Sequence, residues 1–149
     1  MLEIYVDADA CPVKTEIMRV ADRHGLPVHM VSNQWLRLDD HPRVNRVVVG
    51  DGLDAADDWI AERVGDGDIT ITADIPLAAR CLDAGASVIG PTGKPFTEQS
   101  IGMARAMRDL MAHLRDTGEV TGGGPAFSKQ DRSRFLSALE DTIQALQRR

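Results

Sequence analysis

The chain has 149 residues, 43% hydrophobic and 27% charged, enough for one globular domain, with no apolar run near the roughly 20 residues of a membrane span. Its net charge of −6 is uneven: residues 1–90 carry 16 acids against 8 bases (−8), and residues 91–149 carry 7 against 9 (+2). That balance argues against a dedicated nucleic-acid coat protein, which usually shows a strong basic excess, but not against an enzyme that touches nucleic acid at one site.

The first ninety residues alternate between short apolar runs and helical patterns. Residues 2–6 read as a strand and 12–24 as a helix, with Pro12 near its first turn and Gly25 ending it. Strands follow at 28–31 and 44–49, a helix at 55–64, and a strand at 69–72. A helix at 77–84 stopped by Gly85 and a fifth strand at 87–89 complete the series. The strands are β-branched and apolar on both faces, as parallel strands covered on both sides are. The pattern predicts an α/β layered fold. "GPTGKPF" lacks the spacing of a phosphate-binding P-loop, so Gly93 and Lys94 read as a turn.

Beyond residue 96 the periodicity becomes helical. Residues 97–115 form one long amphipathic helix whose stripe of Met103, Met107, Leu110 and Leu114 is expected to pack on the sheet. A glycine-rich segment at 118–125 follows, expected to be mobile or to fold over the acidic edge described below. Ser128 and Asp131 resemble a helix-start box, and Phe135, Leu139, Ile143 and Leu146 give a C-terminal helix (129–148) its buried face. The whole of 1–149 reads as a single domain with its core in about 1–116.

Three acidic clusters each follow an apolar run: Asp7 and Asp9; Asp51, Asp54, Asp57 and Asp58; and Asp74. In a parallel sheet the strand carboxyl ends share one edge, so acids far apart in sequence converge there. Crowded carboxylates repel unless a cation lies between them, and an oxygen-only set suits Mg2+ or Mn2+ rather than zinc. Asp7, Asp9, Asp54, Asp57 and Asp74 are the candidate ligands, with Asp7, Asp9 and Asp74 the candidate catalytic groups. Asp74 and Asp54 could instead cap their own helices, with Asp57 in a favourable first turn. Asp51 and Asp58 read as solvated charges.

Lys14, Ser32, Asn33, Arg132 and Arg134 are candidate phosphate contacts, and with Lys129 the two arginines would bring positive charge to an acidic site. Cys11 precedes a helix start, which would lower its thiol's pKa, but reads first as a small buried residue. Cys11 and Cys81 lack metal-type spacing and are expected to be unpaired. With no basic-then-apolar leader, they point to a cytoplasmic protein.

"DADACPVK", "GLDAADDWI", "TADIPLA", "GKPFTEQSIG" and "GGGPAFSKQDRSRF", in this order and over nearly the whole chain, resemble the bacterial YaiI/YqxD family. That family is grouped with PIN-like domains, whose better-known members are metal-dependent ribonucleases. The resemblance implies a three-layer PIN-like fold with a central parallel sheet of about five strands in the order 3-2-1-4-5, plus C-terminal helices. It also implies that the PIN-type acids fall on Asp7, on Asp54 or Asp57, and on Asp74, with Asp9 as an additional carboxylate. The chain departs from the family pattern at "QSIG" and "GGGPAFS", which leaves the acidic clusters intact.

Three functions compete. The leading expectation is a Mg2+- or Mn2+-dependent nuclease acting on RNA or another nucleic acid. A phosphatase of the haloacid dehalogenase type is suggested by "DADAC", "VSN" and "GDGLD", but no lysine lies between Ser32 and Asp51 and the helix at Pro12 leaves no room for its flap. The third is a non-catalytic module that binds metal or nucleotide, because fold does not fix function.

Overall fold

The computed structural model describes residues 2–9, 11–35, 37, 41–50, 52, 54–116 and 126–149. Asp51 and the glycine-rich segment 118–125, with the expectation attached to it, lie outside the described residues.

Six strands form one sheet: β1 (Ile4–Asp7), β2 (Val28–Ser32), β3 (Val44–Val48), β4 (Ile69–Ile71), β5 (Ser87–Ile89) and β6 (Pro95–Phe96). Their order is β3-β2-β1-β4-β5-β6. All pairs are parallel except β5 with β6. The five expected strands and their order are present, and the two-residue β6, too short to leave a periodic signal, adds an antiparallel edge.

The alternation of side chains along each strand builds two cores. Ile4, Val6, Val28, Met30, Ile69, Ile71 and Ile89 point to one face. There they meet Ile17 and Val20 of α1 (Lys14–His24) and Phe135, Leu139 and Ile143 of α5 (Lys129–Gln147). Tyr5, Val31 and Val88 point to the other face, onto Ala56 and Ile60 of α2 (Ala55–Arg63) and Leu77 and Cys81 of α3 (Ile75–Asp83). The result is helix, sheet and helix in three layers.

Helix α5 begins with a reciprocal capping box: the Asp131 N–H donates to Ser128 Oγ and the Ser128 N–H to Asp131 Oδ2. It lies alongside α1 in the same direction, since Arg132 pairs with Glu16 near both N-termini and Glu140 with Arg23 and His24 further along. The start of α5 therefore sits toward the edge formed by the strand carboxyl ends. Gly93, in the turn between β5 and β6, has φ +90°, and a Cβ there would lie 2.6 Å from the carbonyl carbon of Arg134. Only glycine fits that turn against α5.

Helix α4 (Glu98–Asp116) corrects one expectation. Ile101, in its first turn, is buried against the α3 side, but Met103, Met107 and Leu110 are 68%, 57% and 50% exposed. The apolar stripe exists, yet it does not pack on the sheet. Ile101 carries a contact to the body, whereas Met103, Met107 and Leu110 of the stripe stand largely in solvent.

Candidate functional site

In this order the chain first winds from β1 outward to β3, then crosses back to β4. The carboxyl ends of β1 and β4 therefore flank the switch point, where open α/β sheets place their ligands. Asp7 is the last residue of β1, and Asp74, three residues beyond the end of β4, stands immediately before α3. Buried Thr72 joins them: its Oγ1 donates to Asp7 Oδ2 at 2.9 Å and accepts the Asp74 N–H at 3.0 Å. Sequence reasoning missed Thr72. The available signal was a hydroxyl at the end of "ITIT", where both faces of the strand are covered.

Asp74 caps α3, accepting the Leu77 N–H at 2.8 Å, so the capping reading of this residue is correct as far as it goes. The bond occupies one of its two oxygens. Asp54 differs. It precedes α2 with φ 66°, left-handed backbone that is uncommon outside glycine, and its side chain makes no capping bond. The sequence-level capping reading fails there because the turn into α2 sets Asp54 in the wrong conformation to reach the N–H groups ahead of it. Asp57 lies in the first turn of α2 and is partly buried.

The charges on these groups act on one another. Asp57 is pushed up from its ordinary 3.8 to about 6, first by burial and then by the charges of Asp74, Asp7 and Asp54. Burial also raises Asp7, with Asp74 and Asp9 adding repulsion, while the Thr72 hydroxyl pulls the other way. Five acids from three strand ends thus share one field. They have not closed into a coordination shell: among the described residues no three His, Cys, Asp or Glu side chains are grouped as an ion would require.

Asp9, close enough to Asp7 to add repulsion, also bonds across to the end of β2. It accepts the Ser32 hydroxyl at 2.6 Å and the Asn33 N–H at 2.9 Å, tying the end of β2 to the loop after β1. Ser32 and Asn33 do line this edge, as expected, but their polar groups serve Asp9. Lys14 donates to the Cys11 carbonyl at 2.8 Å. Arg132 pairs with the buried Glu16 and Arg134 lies 3.7 Å from Asp131. These basic groups are near the edge but engaged within α1 and α5. Asp58 pairs with Arg80 at 2.7 Å, an exposed ion pair consistent with a solvated charge. Both cysteines are free and buried, which agrees with reading Cys11 as a small buried residue, and burial raises the Cys11 thiol.

Two open cavities of about 480 and 500 Å3 sit at the opposite edge, around Leu2 and Arg149 and around Pro27 and Arg43. Neither includes the acids. No helix among the described residues is long and apolar enough to cross a membrane.

Fold and edge together define a three-layer α/β protein of PIN-like architecture with carboxylates gathered at its switch point. Residues 5–145 match the family model described as "Uncharacterized BCR, YaiI/YqxD family", and the chain belongs to that family. It is 66% identical over 149 residues to a "UPF0178 protein" of Parvibaculum lavamentivorans, covering 100% of this chain and 98% of the relative. It is 61% identical to a "UPF0178 protein" of Rhodopseudomonas palustris strain TIE-1 (100% and 94% covered). Identity to the "UPF0178 protein" of Nitrobacter winogradskyi is also 61%, over 147 residues (99% and 94% covered). No solved structure matches the chain.

Proposed function

We propose that the protein is a metal-dependent phosphodiesterase acting on nucleic acid, RNA foremost, with its ion held by Asp7, Asp57 and Asp74 and with Asp54 beside them. The observation that carries this reading is the convergence of acids from three strand ends on the switch point, where burial first and then the charges of Asp74, Asp7 and Asp54 raise Asp57 to about 6. Such crowding is destabilising without a counter-charge. The donor set fits a hard cation, since it offers carboxylate oxygen and neither thiol nor imidazole.

When bound, Mg2+ or Mn2+ would supply charge stabilisation at a phosphoryl oxygen and a more acidic water. The chain's own residues supply position. Thr72 fixes the Asp7 carboxylate, the Leu77 N–H fixes Asp74, and the first turn of α2 presents Asp57 to both. Asp9 steadies the end of β2 through Ser32 and Asn33. Lys129, exposed at the start of α5 on the same side of the molecule, provides positive charge for a phosphate backbone.

The non-catalytic reading accounts for the same acids through binding without turnover. The phosphatase reading needs Asp9 available to move a proton, and its oxygens already accept from Ser32 and Asn33. The deciding experiment incubates the protein with Mn2+ or Mg2+ and labelled single-stranded RNA, single-stranded DNA or a phosphomonoester. Metal-dependent cleavage of RNA that is lost in Asp7→Asn supports the proposal. Turnover of the monoester alone favours the phosphatase, and metal binding without turnover favours the module.

A further inference from the structure

Trp35 is 69% exposed, the most exposed large hydrophobic residue among those described. The turn that leads to it is held by hydrogen bonds. The Ser32 hydroxyl that bonds Asp9 also accepts the Gln34 N–H at 3.0 Å and approaches the Gln34 carbonyl at 2.7 Å. A compact turn therefore carries the chain from the end of β2 directly to Trp35, and Asp9 anchors that turn to the loop after β1. Trp35 lies three residues beyond Ser32, so its backbone is within about 11 Å of the edge residue by chain length alone.

One face of the indole is backed by Arg46 of β3, whose guanidinium carbon lies 5.0 Å from the ring centroid. With one face so backed and most of the residue exposed, the opposite face is open to solvent. Arg37, two residues on, is exposed as well. An open aromatic face with cations beside it is what an unpaired nucleobase and its phosphate require: the base stacks and the guanidinium N–H groups reach the phosphate. A base in a duplex already has both faces stacked, so the surface suits a single strand.

We propose that Trp35, backed by Arg46, is a base-stacking platform that holds a single-stranded nucleic-acid segment leaving the acidic edge. This rests on the reading of that edge as a phosphodiesterase site and adds the form of substrate it takes. Asp9, Ser32 and Asn33 then act as positioning residues, coupling the platform to the strand ends.

The test is fluorescence anisotropy of a labelled oligouridylate titrated with full-length protein in EDTA, where no cleavage intervenes. Stacking on one aromatic contributes roughly tenfold in affinity per base, so Trp35→Ala is expected to bind about tenfold more weakly while Trp35→Phe keeps most of the affinity. Arg37→Gln should lower the salt dependence by about one ion. A hairpin duplex should bind less tightly than the single strand. Equal affinity of wild type and Trp35→Ala, preference for the duplex, or no binding by wild type overturns the proposal. The last result would leave Trp35 as a contact for another protein. Trp35→Ala and wild type should melt within a few degrees of each other, so that lost binding is not lost fold. Mn2+-dependent hydrolysis of bis(p-nitrophenyl) phosphate by wild type tests the edge reading separately, because so small a diester needs no stacking platform.

Discussion

Replacing Asp57 by asparagine should stabilise the metal-free protein at neutral pH. The folded state holds the Asp57 proton up to about 6 against an ordinary 3.8, a difference of about 2 pH units. At about 1.4 kcal/mol per unit, the ionised side chain costs the fold at most about 3 kcal/mol. Asp57 is only partly buried, so solvent screening reduces this, and the asparagine forfeits about 0.3–1 kcal/mol of attraction between a carboxylate and the start of α2. A net gain of about 1–2 kcal/mol remains, or about 3–6 °C in Tm for a domain of this size. The raised folded pKa means that the native state binds more protons than the unfolded chain between about 4 and 6, so the Asp57 contribution worsens as pH rises through that window. The gap between Asp57→Asn and wild type should therefore be full above about pH 6.5 and close toward pH 4, as the wild-type carboxyl takes up its proton. Thermal or urea unfolding of both proteins in EDTA across this range measures it. A mutant less stable than wild type at neutral pH, or a gap that does not change with pH, would refute the claim that Asp57 is held in a repulsive field.

Thr72→Val removes the hydroxyl that bonds Asp7 and receives the Asp74 N–H; a loss of about 1–3 kcal/mol is expected, larger at neutral than at acid pH because Asp7 is left less solvated, and unfolding at both pH values checks it. Asp74→Ala should cost about 1 kcal/mol through the lost cap, partly offset by relief of repulsion, whereas Asp74→Asn keeps an acceptor for the Leu77 N–H and should be neutral or stabilising. Gly93→Ala should destabilise by about 2 kcal/mol or more, since the turn is left-handed and the added methyl meets the α5 backbone, and denaturant titration will show it as a lower midpoint. Arg132→Ala strands the buried Glu16, whose second oxygen already lacks a partner, and should cost about 2 kcal/mol or more, a loss that Glu16→Gln in the same chain should partly restore.

Much of the fold was legible because short β-branched runs covered on both faces leave a strong pattern. β2 to β5 fall where those runs are, and Ser128 with Asp131 marks the start of α5 to the residue. The stripe of α4 was legible as a stripe but not as a surface, since periodicity states which side of a helix is apolar and not what lies opposite. At the site, Asp7 and Asp74 could be placed from sequence because Asp7 ends β1 and Asp74 opens the helix that follows β4, both at the switch point. The bonds of Asp9 to Ser32 and the Asn33 N–H could not be read from sequence, because they depend on how the loops after β1 and β2 meet. Thr72 and the Trp35–Arg46 stack were hidden for the same reason: each is defined by a partner on another element.

The central claim, that the acids at the ends of β1 and β4 and the start of α2 form one cation site, is tested most directly by calorimetric titration of Mn2+ into wild type, Asp7→Asn, Asp57→Asn and Asp74→Asn at neutral pH. The account predicts saturable binding by wild type and at least about tenfold weaker binding by each variant, since each loses a charged ligand while melting at or above the wild-type temperature without metal. No binding by wild type, or equal affinity in all four proteins, would contradict it.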